Sequence, residues 1–456
     1  MTDSEEHPPS YFSRDSFVSE LPGYDSETAT TSSLAPAATN AHLTAHGASR
    51  ALDSKRFSYD LKKYWSKPWA TLTLLADPRL SRDLPVFVEG GDIAGTIKLN
   101  FPSKETITGV SIVVKGDLVT FKDPPKHLTF FRMQRWIWSP SMGDPRAPVA
   151  SGDKWEDKLQ GEYNWPFSIK IPQFTTDSST ADSEQFRLPH SYTERLSKGG
   201  IDYYVGLHIH RAKLRVDDSL ISRFGYFTMQ QPGRPSVARQ LAYQNNTAIP
   251  GPYSDPDGWH ALEPVQIRGT VFGNRAVDAK CMVFLAKPLR YTRGTAIPCA
   301  MTFETADTQA ADLLASIKSS RVFLQRCIKF GIDGPSSHFS ACGQATWWPS
   351  PDDSGAHQRH MMGEIHLSRD LHPSSAISLF GVEYAVALFP PEAAAFTPES
   401  FAPLITQAVE VVTCFAPGAR QRLASPPAYD CQGSLADRYY RTLPEMQSYI
   451  LHNMGF

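Results

Sequence analysis

The sequence predicts an all-β protein: two consecutive β-sandwiches flanked by disordered N- and C-terminal tails. Three observations carry this expectation. Apolar residues alternate at period two in stretch after stretch between residues 66 and 417, the pattern of half-buried antiparallel strands. Prolines and glycines, 36 and 29 of 456 residues, punctuate that alternation and suit many turns and short strands. Helical periodicity is almost absent, and at least seven strand patterns fall on each side of a Pro-, Gly- and Asp-rich stretch. The expected divisions are a tail over 1–65, a first sandwich over 66–232, a linker over 233–262, a second sandwich over 263–417 and a tail over 418–456.

Each element follows from its residues. Residues 1–65 are rich in Ser, Thr, Ala and acids, with too little apolar area to offset the entropy of ordering. Within them Lys55-Arg56-Phe57-Ser58 sets a hydroxyl beside a basic pair, either a phosphorylation site or plain solvated tail. Trp69–Leu75 reads as the first strand. From Ile93, residues Ile93, Ile97 and Leu99 share one face, with Thr96, Lys98 and Asn100 on the other. Val110, Ile112 and Val114 alternate in the next strand, and residues 127–138 form another. Residues 139–158 read as a loop. Tyr163, Trp165, Phe167, Ile169 and Ile171 share parity, but Pro166 among them demotes that strand to an edge or a bulge. Tyr203, Val205, Leu207 and Ile209 share a face, which Arg211, Lys213 and Arg215 inherit. Either the strand bulges after His210 or its core face ends there. Residues 224–230 supply one more strand.

Beyond the linker the pattern restarts at Val265–Phe272, Val277–Leu285, Ile297–Thr305, Arg321–Phe330, Ala341–Trp348, Met361–Leu367, Gly381–Phe389 and Ile405–Phe415, with one helical turn at Ala310–Ile317. In the last forty residues Leu435, Tyr439, Leu443, Met446 and Ile450 recur at roughly helical spacing around Pro444. That segment is either an amphipathic helix docked on the body or a frayed tail.

A formal net charge of −2 and 20% charged residues argue against a nucleic-acid-binding protein, whose footprint is a strong basic excess. The six cysteines include no CxxC pair, and Cys281, Cys299, Cys327 and Cys414 lie in apolar runs, so the expected compartment is reducing and cytoplasmic. The N-terminus has no signal-peptide core, no apolar run reaches about 18 residues, and the C-terminus carries no prenylation cysteine.

The most specific signals stand at the two ends. Pro426-Pro427-Ala428-Tyr429 and Pro8-Pro9-Ser10-Tyr11 both spell PPxY. With 36 prolines and 17 tyrosines in 456 residues, about 0.1 such strings are expected by chance. Two prolines hold the backbone in polyproline II, and the tyrosine ring enters a neighbouring pocket, the way proline-rich segments dock WW-type domains. Leu21-Pro22-Gly23-Tyr24 is an LPxY relative, or a simple turn. Other chemistry is thin. His208 and His210 share a strand face, but a closed zinc site needs about four ligands. His357, His360 and His366 with Glu364 pose the same question without HExxH spacing. Trp136/Trp138 and Trp347-Trp348 read as core or as sugar platforms. Pro189-His190-Ser191 with Asp202 is a triad only by imagination. No GxSxG, P-loop or GxGxxG string occurs. No catalytic residue, metal or cofactor is expected.

Gly90, Gly91, Asp92, Gly95, Ile107, Val110, Ile112, Val114 and Gly116 fall as in the opening hairpin of an arrestin N-domain. Residues 165–172 and 187–192 resemble the arrestin pattern of a strand closing on Pro followed by Leu-Pro-x-Ser, and Ile201–Val205 resembles the strand that follows. The similarity covers residues 85–230 and, more weakly, the second half. With the PPxY ends, the chain resembles the α-arrestins, in particular the arrestin-related trafficking adaptors of fungi. That resemblance implies two immunoglobulin-like (arrestin-like) sandwiches meeting at a polar hinge. It implies an adaptor, not an enzyme, that binds a WW-domain HECT-type ubiquitin ligase and directs ubiquitination and endocytosis of membrane transporters or receptors. The implied partners are the ligase and the cytosolic tails of membrane cargo; the implied location is cytoplasmic, with recruitment to plasma membrane or endosomes. Pro8, Pro9, Tyr11, Pro426, Pro427 and Tyr429 are the implied ligase-binding residues, with Leu21, Pro22 and Tyr24 secondary. Lys62, Lys63 and Lys67 are implied ubiquitin acceptors. By that resemblance Arg211 stands where visual and β-type arrestins keep a buried polar-core arginine; if buried it requires carboxylate partners, and otherwise it is a basic strand end facing water. The rival expectations are an arrestin-like sorting scaffold that binds no ligase and a carbohydrate-binding or hydrolytic sandwich.

Overall fold

The computed structural model describes residues 54–62, 67–146, 154–176, 185–193, 199–212, 215–351, 355 and 357–425. Both PPxY motifs, the LPxY string, Lys63 and the helical pattern at 435–450 lie outside those residues. In chain order the first strands are β1 (Lys55–Leu61), β2 (Ala70–Ala76), β3 (Val86–Val88), β4 (Asp92–Glu105), β5 (Ile107–Thr120) and β6 (His127–Trp138). They are followed by β7 (Leu159–Lys170), β8 (Phe174–Thr176), β9 (Gln185–Arg187), β10 (Gly199–Arg211) and β11 (Asp218–Phe227). One sheet runs β1-β2-β4-β7 and a second β3-β11-β10-β5-β6, while β8 and β9 pair alone.

Period-two patterning decides which faces meet. Leu72, Leu74, Ile97 and Leu99 of the first sheet and Val110, Ile112, Val114, Val205 and Leu207 of the second are all at most 1% exposed and belong to one buried cluster. Each such side chain contributes about 1.5–3 kcal/mol by leaving water. Lys98 and Asn100, on the opposite parity, are exposed. The strand carrying Pro166 is β7, at its sheet's edge, as the proline requires. Gly90 turns the chain between β3 and β4 with φ +73°, open to glycine at little cost. After His210 the register against β5 shifts, so the strand bulges there.

Two expectations need correction. The segment assigned to a disordered tail contains β1, seven residues paired throughout with β2. Phe57, Tyr59 and Leu61 alternate there and pack partly buried against the core, a short period-two signal hidden in a polar stretch. The expected linker contains a helix, α1 (Val237–Asn245), capped by Ser236 at its start and by left-handed Asn246 at its end. Arg239 of that helix is 1% exposed, donates to the carbonyls of Lys287 (2.9 Å) and Gly258 (2.7 Å), and lies over the Trp259 ring. Burial lowers its pKa.

The C-terminal half is mostly strand among the described residues. It contains β12 (Trp259–Ala261), β13 (Val265–Val271), β14 (Arg275–Ala286), β15 (Arg290–Thr292), β16 (Ala296–Glu304), helix α2 (Thr308–Leu314) and β17 (Arg321–Phe330). Then come β18 (Ser336–Pro349), β19 (Gln358–His366), β20 (Ser375–Ile377), β21 (Phe380–Phe389), β22 (Phe396–Pro398) and β23 (Ile405–Val412). Hydrogen bonding runs unbroken through one curled 12-stranded sheet. The 14-residue β18 is the reason: its first part pairs with β17 and its last five residues pair with β19. A strand that bends from one partner to another makes a corner without breaking the ladder.

The two halves meet at an aromatic seam. Tyr192 lies 5.0 Å from the Phe380 ring and 4.5 Å from His372. Gly199 sits so close to the Phe330 ring and the Val119 carbonyl that a Cβ would overlap both. Most of the buried apolar residues accordingly belong to one contiguous cluster that runs from Ala70 to Val411.

Candidate functional site

After β23 the chain does not leave the body. Cys414 N–H donates to the Gln230 carbonyl (2.8 Å), and Arg420 lies over the Phe415 ring. Gln421 donates to the Ala296 carbonyl (2.8 Å), and Arg422 to Asn246 Oδ1 (2.9 Å), the residue that caps α1. Ala424 and Ser425 then donate their backbone N–H groups to the two carboxylate oxygens of Glu364, each at 2.9 Å. Residues 418–425, expected as tail, are therefore a strap held on the body, and the next residue is Pro426.

Glu364 is 2% exposed. An unpaired carboxylate in that position would cost several kcal/mol, so it persists because its lone pairs are filled. His366, two residues on along β19 and hence on the same face, lies 2.7 Å from Glu364 Oε1 through Nε2. The carboxylate is acceptor-only, so Nε2 carries the proton. The same nitrogen is 3.1 Å from Ser425 Oγ. Charge-assisted bonds of this kind are the stronger class. Glu364 and His366 were visible in the sequence as a metal question. The strap partners of Glu364 are backbone amides about sixty residues away, which no side-chain motif announces. His360 turns instead to Thr302 (3.1 Å) and the Tyr253 ring. Among the described residues no group of three or more His, Cys, Asp or Glu is placed to hold a metal.

Arg211 has the carboxylates its burial demands. Its side chain is 14% exposed, with Glu105 at 2.9 Å, Asp218 at 2.6 Å and the Trp69 ring beneath. The cluster sits at the end of β10 opposite Gly199 and the seam, on the order of 40 Å along the strand. Arg211 is thus no part of the junction between halves. Polar contacts there come from Lys122 and Lys126, which pair with Asp333 at 2.8 and 2.7 Å, and from Thr413, whose hydroxyl accepts from the Gln230 N–H (2.9 Å) and donates to the Thr228 carbonyl (2.7 Å). His190 is buried at the seam, stacked on Phe227 and accepting from the Thr228 N–H; burial and nearby Arg293 push its pKa down to about 3.

The imagined triad does not assemble: Asp202 pairs with Arg223 and accepts from Tyr204, far in role from His190. A different line exists. Ser111 Oγ lies 3.0 Å from His210 Nε2, and His210 Nδ1 lies 2.9 Å from Asp217. Ser111 is 0% exposed and also accepts from Gln134, so it is closed to a substrate and braces the bulge before Arg211. His208 and His210 stack on one face, as their spacing requires. Trp138 and Trp347 are core, at 3% and 1% exposure, whereas Trp136 is exposed over Gly109. Lys62 and Lys67 are exposed. Among the described residues no helix is long and apolar enough to cross a membrane.

No protein-family model matches the chain, and no curated protein matches it either.

Proposed function

We propose that the chain is a non-enzymatic adaptor that binds a WW-domain HECT-type ubiquitin ligase through its PPxY motifs. In this reading it directs ubiquitination and endocytosis of membrane transporters or receptors, recruited from the cytoplasm to plasma membrane or endosomes. The body is a pair of arrestin-like, immunoglobulin-like sandwiches, a reading supported by the four- and five-stranded sheets around one core and by the curled 12-stranded sheet of the C-terminal half. The observation that carries the reading is positional. The strap is pinned through Ser425, and the docking motif begins at the next residue. A short extended ligand whose root is already held loses less freedom on binding. A second motif at Pro8–Tyr11 lets one ligase with several WW domains engage twice, the second time intramolecularly.

The test is a ligase pull-down with the full chain carrying Tyr11→Ala and Tyr429→Ala together. The expected result is loss of the ligase with an unchanged melting curve. Undiminished ligase capture rejects the adaptor. Cargo association without any ligase binding in the wild type selects the sorting scaffold instead.

A further inference from the structure

We propose that a trough on the outer face of β17, β21 and β23 binds an uncharged, largely apolar small molecule bearing a carbonyl or hydroxyl oxygen. This inference does not depend on the adaptor reading. The trough has a volume of about 770 Å³, within the range of roughly 300–1,000 Å³ common to small-molecule sites. Its origin is a row of short side chains. Gln325 of β17 stands opposite Ala385 of β21, which stands opposite Ala408 of β23. Alternation sends their neighbours Leu324, Val386 and Val409 into the main core, leaving this face with little to fill it. Cys327 and Phe339 form a small apolar cluster of their own along the trough. Leu404 also lines it, as do Leu188 and Pro189 of the N-terminal half. An occupant therefore touches both sides of the seam.

Charge and hydrogen bonding select the occupant. Each ionised residue at the trough already has a counter-ion: Arg187 with Glu89 at 2.7 Å, Glu383 with Lys329 at 2.8 Å and Glu410 with Arg290 at 2.8 Å. A charged ligand would have to displace one of these partners, and a neutral one displaces nothing. The Cys327 thiol, pushed up to about 11 chiefly by burial, adds no charge at neutral pH. Gln325 is 6% exposed, and its side-chain nitrogen has no acceptor among the described residues. A buried amide donor is costly to leave unmade. That nitrogen is itself closed to solvent, so the amide must turn toward Ala385 for an oxygen carried in there to supply the missing acceptor.

The full chain is titrated with Nile red, an uncharged dye with a carbonyl oxygen, and with diphenylhexatriene, which has no acceptor. Saturable binding of Nile red at one site per chain is expected. Ala385→Trp should weaken it at least tenfold by filling the floor, and Ala408→Leu replaces that variant if it melts early. Gln325→Leu should weaken Nile red several-fold while leaving diphenylhexatriene unchanged. Binding that never saturates, or that survives in a folded floor-filled variant, overturns the proposal. So does tighter binding of an anionic dye competing for the same site.

Discussion

The chain closes on itself at two places and is held differently at each. At the seam, Tyr192, Phe380, Phe330 and Gly199 pack continuously with the main core, and no single bond carries the joint. At the strap, residues far apart in sequence meet through one buried carboxylate, Glu364, and its neighbour His366. Packing spread over many atoms fails only when the core fails. A joint that rests on one side chain can open locally, below the cost of global unfolding. The seam therefore sets rigidity, and the strap sets how the segment before Pro426 is presented.

The largest expected effect lies at the seam. Gly199→Ala places a methyl against the Phe330 ring and the fixed Val119 carbonyl. Overpacking of this kind costs about 2 kcal/mol, and the loss should appear as a lower urea midpoint for the whole body. A midpoint unchanged from wild type would mean that the halves are not one cooperative unit.

Next in size is a pH effect at the same place. His190 is held neutral when folded, with its pKa at about 3 against 6.5 for the free side chain. Between those values the unfolded chain binds the extra proton, so stability is fully present above about 6.5 and falls as pH drops. The slope is about 1.4 kcal/mol per unit, or roughly 2 kcal/mol by pH 5. His190→Phe keeps the stack on Phe227 and removes the proton site. Its stability measured from pH 7 to pH 5 should fall less steeply than that of wild type. Parallel curves would contradict the burial of a neutral imidazole there.

Glu364→Leu tests the other joint. It leaves the Ala424 and Ser425 amides without acceptors, and the strap should open. Trypsin cleavage after Arg420 and Arg422 should accelerate about tenfold, equivalent to about 1.4 kcal/mol of local opening. The urea midpoint should move less than in Gly199→Ala. An equal drop would erase the distinction between strap and seam.

Sequence legibility follows the same division. The two core faces were readable because burial on a strand has a fixed period, as in Leu72/Leu74 and Val110/Ile112/Val114. Pro166 left an edge or a bulge open, and β7 is an edge; the parity slip at Arg211 left a bulge or the end of the core face open, and the strand bulges. Strand β1 was missed because three half-buried residues in a polar stretch give a weak signal. The unbroken ladder through β18 was missed because a strand's partners are set by where it bends, not by its own alternation. Glu364 was noticed for the wrong reason: its ligands are main-chain N–H groups, which every residue but proline possesses.

The smallest effect is expected at the rim of the seam. Asp333 is held by two ammonium groups, Lys122 and Lys126, which lower its pKa from 3.8 to about 2. Its stabilisation is therefore present above about 3.8 and is lost as pH falls toward 2. Both lysines are more than 60% exposed, so water and salt screen the pairs. Asp333→Asn should lower the melting temperature slightly at low ionic strength, and the difference should vanish in about 0.5 M salt. If it instead persists at high salt and rivals Gly199→Ala, the joint is electrostatic after all. The aromatic packing would then be its filling rather than its cause.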